Sequence, residues 1–181
     1  MLKIIKPEEY LTTQWSGGTT TQFYIYPENS TYTSRNFDLR ISSAVINQSP
    51  SNFTSLKGFS RVLISLNHEI SISHEGQNSV TLKPLQIYTF SGDSETQSKG
   101  LATDFNIIYS SKVKVETTVI MEQVSELILR PGTNEIYFVY LIDGNLMNNK
   151  FKAGYLLYTN EALGLLINAE NKLIIVKAKF A

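Results

Sequence analysis

At 181 residues, with 42% hydrophobic and 11% aromatic side chains, the chain is long enough to bury roughly 70% of its unfolded surface in one large or two small domains. Its 16 basic and 16 acidic residues cancel, so no long-range field gathers nucleic acid or anionic lipid, and neither is expected as a partner. The absence of cysteine excludes disulfides, thiolate catalysis and sulfur-rich metal sites.

The opening segment, MLKIIKPEEYLTTQ, interrupts its apolar residues with Lys3, Lys6, Pro7, Glu8 and Glu9. It lacks the apolar run of a secretory signal, and no stretch reaches membrane-spanning length, which predicts a cytoplasmic protein. Residues 7–11 are placed as a short helical turn. Gly17 and Gly18 then lead into TTQFYIY at 20–26. A phosphate-binding loop would need a longer glycine spacing, a lysine and a following helix, so a glycine turn entering a strand is the better reading.

Further strands are expected at FDLRISSAVI (37–46), RVLISL (61–66), EISIS (69–73), LQIYTF (85–90) and DFNIIY (104–109). In the next segment Val113, Val115, Thr117, Val119 and Met121 alternate with Lys112, Lys114, Glu116 and Thr118, the period of two of a half-buried strand. EIYFVYLI (135–142) and KLIIVKAKF (172–180) complete the set. Turn-forming clusters at 47–52, 76–79, 91–94, 131–134 and 143–145 separate the strands, which predicts an all-β sandwich or barrel.

A loose internal repeat groups these strands. LNHEISI (66–72) followed by LKPLQIYTF (82–90) recurs as IDGNLMN (142–148) followed by FKAGYLLYTN (151–160). Each copy reads strand, tight turn, strand, then a Lys-led loop into a strand carrying Tyr-Thr. Two related β halves packed as one body, 1–111 and 112–181, follow from this, the first carrying the candidate pocket.

Only His68 and His74 offer imidazole. A metal site wants about three converging ligands, and no His-x-His pattern places two on one strand face, so no metal or other cofactor is expected; His68 is placed in a turn and His74 at a strand end, both exposed. No Gly-x-Ser-x-Gly elbow marks a nucleophile.

Arg40 stands in the middle of a strongly β segment. Phe37, Leu39, Ile41 and Val45 share one face, while Asp38, Arg40, Ser42, Ala44 and Ile46 share the other. In TDFNIIY, Asp104, Asn106 and Ile108 likewise oppose Phe105 and Ile107. If these mixed faces meet inside the first half, Asp104 is the natural partner for a buried Arg40, with Ser42 and Asn106 as neutral neighbours. Two readings stand side by side: an internal ion pair that fixes strand register, or a guanidinium fork that presents donors to a small carboxylate.

The ordered segments QWSGGTTTQFYIYP, NFDLRISSAVI, NFTSLKGFSRVLISL, TLKPLQIYTFSGD and LATDFNIIYSS resemble the HutD/Ves family of bicupin-like proteins over residues 14–112. The most specific matches are Trp15 with the Gly-Thr run, Arg40-Ile41-Ser42, Gly58-Phe59-Ser60-Arg61, Leu82-Lys83-Pro84-Leu85 and Asp104-Phe105-Asn106. The chain departs from the family where Ser16 and Gly17 follow Trp15 directly, where Gln22 replaces a common acidic residue, and in the looser 49–54 turn. The resemblance implies a cupin-like container around Arg40, with Trp15, Thr19, Arg61, Asp104 and Asn106 as candidate ligand-binding positions beside Ser42. It also implies a non-enzymatic regulator of histidine catabolism or stress response, binding an acid such as urocanate or a formylated amino acid.

Two other functions stay open. One is a metal-independent isomerase or hydrolase with Asp104 as general base and Arg40 stabilising an oxyanion. The other is a structural or interaction module in which Tyr137, Tyr140, Tyr155 and Tyr158 supply a homodimer or partner surface.

Overall fold

The computed structural model describes residues 1–122 and 126–181. It forms two compact units: Tyr10–Lys112, and Val113–Ala181 together with Met1–Glu9. In chain order, β1 (Leu2–Ile5) and a 3-10 turn (Pro7–Glu9) precede β2 (Leu11–Trp15), β3 (Gly18–Tyr26), β4 (Leu39–Ile46), β5 (Ser51–Phe53) and β6 (Phe59–Ser65). Next come β7 (Ile70–His74), β8 (Val80–Leu82), β9 (Ile87–Ser91), β10 (Thr96–Lys99) and β11 (Thr103–Ser110). The remainder is β12 (Val113–Ile120), β13 (Leu127–Leu129), β14 (Glu135–Asp143), β15 (Asn145–Leu146), β16 (Phe151–Lys152), β17 (Leu156–Thr159), β18 (Leu163–Leu165) and β19 (Lys172–Phe180).

Every strand segment expected from periodicity falls on one of these strands. Those without a readable period are the short ones, such as β5, β15 and β16. All pairings are antiparallel, and among the described residues no sheet closes on itself, so the sandwich rather than the barrel is realised.

The unit over 10–112 sets a six-stranded sheet, β2-β3-β4-β11-β6-β9, against a four-stranded one, β5-β10-β7-β8. Leu63 and Phe90 of the larger sheet share a buried apolar cluster with Ile70, Ile72 and Leu82 of the smaller. Residues paired across neighbouring strands point to the same face. One row therefore runs Ile25, Arg40, Ile108, Arg61, Phe90 across β3, β4, β11, β6 and β9. The next row is Gln22, Ser42, Asn106, Leu63, Tyr88, and the one after it Thr20, Ala44, Asp104, Ser65. A register shift between Gln22 and Tyr24 lets even-numbered Gln22 and odd-numbered Ile25 occupy one face of β3.

The other unit has a five-stranded sheet, β1-β17-β14-β19-β12, and the hairpins β13-β18 and β15-β16. Its core gathers Val139, Leu141, Phe151, Leu157, Leu173 and Ile175. β1 pairs with β17, covering backbone groups that an edge strand would leave bare, so the first nine residues cluster here instead of with the half they precede. No helix among the described residues is long and apolar enough to cross a membrane.

Candidate functional site

The polar rows of the six-stranded sheet open into a cavity of about 430 Å³ within the 10–112 unit. Its floor is built from β4, β11 and β6, and its rim includes Trp15 from β2, Tyr32 from the β3–β4 connection and the 51–54 segment. Local sequence explains the Trp15 wall. The indole lies over Gly17, where a Cβ would stand 2.1 Å from the ring, and its Nε1 donates to Thr20 Oγ1 at 3.1 Å.

Two guanidiniums are buried in this cavity, Arg40 at 7% exposure and Arg61 at 5%. Arg40 Nε donates to Gln22 Oε1 at 2.8 Å and Nη1 to Ser42 Oγ at 3.2 Å, while its guanidinium carbon sits 4.4 Å from the centroid of the Tyr32 ring. Arg61 Nη1 donates to the Thr54 carbonyl at 3.3 Å, and the planar group packs on Phe53 and Phe90 at 4.7 and 5.4 Å. Arg61 Nε and Asn106 Oδ1 are both buried without a hydrogen-bond partner among the described residues. Such an unmet group costs about 1–3 kcal/mol, and more when charged.

Asp104 is 1% exposed, and its Oδ1 accepts from the Ala44 N–H at 3.1 Å. Burial pushes its carboxyl up to about 7, against the opposing pull of that N–H and of Arg61 and Arg40. Burial likewise brings Arg40 down to about 10, with nearby Arg61 acting in the same direction and Tyr32 and Asp104 opposing it. The cavity thus holds two cations and a single carboxylate in one wall.

Arg40, Asp104, Asn106, Trp15, Ser42 and Arg61 all line this cavity. Thr19 does not: strand alternation turns it towards exposed Val45 and gives the wall position to Thr20. The expected Arg40–Asp104 ion pair is also absent, since no ion pair within 4.0 Å joins Asp104 to either arginine among the described residues. Arg40 turns instead to Gln22 on the adjacent strand. Gln22, Tyr32 and Thr54 were not singled out as site residues. Gln22 carried a signal, as a neutral residue at a commonly acidic position, whereas Tyr32 and Thr54 lie in segments with no period to read.

Of the two histidines, His68 is exposed but His74 is buried, contrary to expectation. Its Nδ1 bonds to Thr96 Oγ1 at 2.9 Å and its Nε2 to Tyr88 Oη at 2.8 Å, and burial lowers its pKa. Tyr158 is likewise buried, against Phe138 at 5.9 Å between ring centroids, so it does not belong to an association surface.

Solved structures similar to this one include three that cover essentially the whole chain. HutD from Pseudomonas fluorescens SBW25, in a formate condition, matches at 20% identity and a TM-score of 0.82, covering 100% of both chains. A conserved protein of unknown function from Pseudomonas aeruginosa PAO1 matches at 21% identity and 0.83, covering 99% of each. A bacterial pirin from Escherichia coli in complex with nickel(II) matches at 9% identity and 0.74, covering 98% of each. No curated protein matches the sequence.

The pirin's nickel raises the question of a cation here, and the residues do not fit one. The cavity wall holds no histidine, its one carboxylate shares that wall with two guanidiniums, and among the described residues no group of three or more His, Cys, Asp or Glu could hold a metal ion. The HutD family model matches residues 7–179. This chain belongs to the HutD family.

Proposed function

We propose that the cavity of the 10–112 unit binds a small carboxylate, and that the protein is a cytoplasmic, non-enzymatic binding protein with a regulatory role in histidine catabolism or stress response. The two units are read as related cupin-like halves, the first holding the ligand. One observation carries the proposal: two buried guanidiniums share one cavity, with Arg61 Nε left without a hydrogen-bond partner among the described residues. A carboxylate is the planar, two-acceptor group that such forks match. HutD from Pseudomonas fluorescens, similar over the whole chain, has been solved in a formate condition, and formate is the smallest acid to try.

A panel of formate, propionate, lactate, an N-formyl amino acid and urocanate, screened by thermal shift, tests the proposal. An acid present at about 100 times its dissociation constant adds roughly 2.7 kcal/mol of stability. Arg40→Ala is expected to lose that protection. Equal protection of the variant and the native protein would remove Arg40 from the site.

One observation favours a second reading. A carboxyl titrating at about 7 suits a general base near neutrality. Turnover of a panel acid that disappears in Asp104→Asn while binding persists would make the protein an enzyme.

A further inference from the structure

Asp104 is the one carboxylate among the residues lining the cavity. Its Oδ1 is taken by the Ala44 N–H, while Oδ2 has no hydrogen-bond partner among the described residues. Two charged groups act on it from the neighbouring strands, Arg40 from β4 and Arg61 from β6, and Tyr32 of the β3–β4 connection lines the same cavity beside Arg40. Neither guanidinium reaches it within ion-pair distance.

We propose that Asp104 binds the ligand acid directly, through a proton shared between its Oδ2 and a carboxylate oxygen of the ligand, so that each acid bound brings one proton into the cavity. This rests on the carboxylate reading above and adds what Asp104 does in it. An acid held by Arg40 and Arg61 places its negative charge in the same cavity of about 430 Å³ as Asp104. It also engages the two cations whose field favours an ionised Asp104. Both effects act in one direction, because two carboxylates in a small buried space hold a proton between them rather than both ionise.

The charge balance is simple. The free cavity with Asp104 ionised carries two positive charges and one negative. After binding with a proton taken from solvent, it again carries two positive charges and one negative, the negative now on the ligand. Asp104 is poised for this exchange, since burial already holds its carboxyl near neutrality and leaves it largely ionised at pH 8.

Titration calorimetry of the full chain with lactate, in buffers of different ionisation enthalpy, counts the protons taken up. At pH 8 the expected uptake is close to one per lactate, with affinity falling about tenfold per pH unit above the free Asp104 pKa and levelling off below it. Asp104→Asn is expected to bind lactate with no proton uptake and no pH dependence across this range. Lactate binding to the native protein without proton uptake overturns this inference and leaves the carboxylate reading intact. No binding of lactate or any other panel acid at pH 6 or pH 8 overturns both. The proton count is made on the native protein, so it does not depend on the variant folding.

Discussion

The two units run their strands in the same plan and fill it with opposite chemistry. In one, the sheet order β4-β11-β6-β9 encloses the β7-β8 hairpin within the β6-β9 pairing; in the other, β12-β19-β14-β17 encloses β15-β16 within β14-β17. On the central strands β11 and β6 the cavity face carries Asp104, Asn106 and Arg61. On β19 and β14, Leu173, Ile175, Val139 and Leu141 occupy an apolar core. The same layout gives a container or a core according to which residues occupy alternate positions on two strands. An apolar face collapses on itself, because packing and burial reward contact. A face of guanidinium, amide and carboxyl groups cannot collapse without leaving them unmet, and so it holds space.

The largest expected effect breaks that comparison at its apolar side. Phe151 is fully buried in the second unit, and Phe151→Ala should lower the unfolding free energy by about 3–5 kcal/mol in denaturant melts. Arg61→Met, at a position also buried in the first unit, should change stability by less than about 1 kcal/mol or raise it, because an incompletely paired buried charge contributes little. Equal losses at the two positions would show that the polar face is packed for stability just as the apolar one is.

A smaller effect sharpens the comparison within the cavity. Gln22 is a neutral partner for Arg40, which leaves the guanidinium charge available. Gln22→Glu should neutralise that charge and weaken carboxylate binding on the order of tenfold, read by titration calorimetry. Unchanged affinity would mean that Arg40 does not face the ligand.

Much of this plan is legible in the sequence. The long strands announce themselves by alternation, and FDLRISSAVI and TDFNIIY already separate a polar face carrying Arg40, Asp104 and Asn106 from an apolar one. The repeat of strand, tight turn, strand and returning strand is also visible, and it corresponds to the nested hairpins of the two units. What the sequence hides is register. Asp104 pairs with Ala44, and Arg40 with Ile108. Their backbone positions are thus four residues apart along the sheet, roughly 13 Å at strand rise, and the expected ion pair gives way to a nearer amide. Thr19 and Thr20 are interchangeable in a run of three threonines until pairing with β4 decides which faces the cavity. Gln22 reaches Arg40 through a register shift that no local pattern announces. Tyr32 and Phe53 reach the guanidiniums from a connection and a three-residue strand, where no periodicity exists to read.

Carboxylate binding as proposed requires Arg40 and Arg61 to hold the ligand together in the first unit's cavity. Crystals soaked with 3-bromopropionate test it most directly, because the anomalous signal of bromine locates the ligand independently of the protein phases. The bromine is expected inside this cavity, with the carboxylate about 3 Å from nitrogens of both guanidiniums. A carboxylate seated elsewhere, or a bound acid that touches neither arginine, would contradict it.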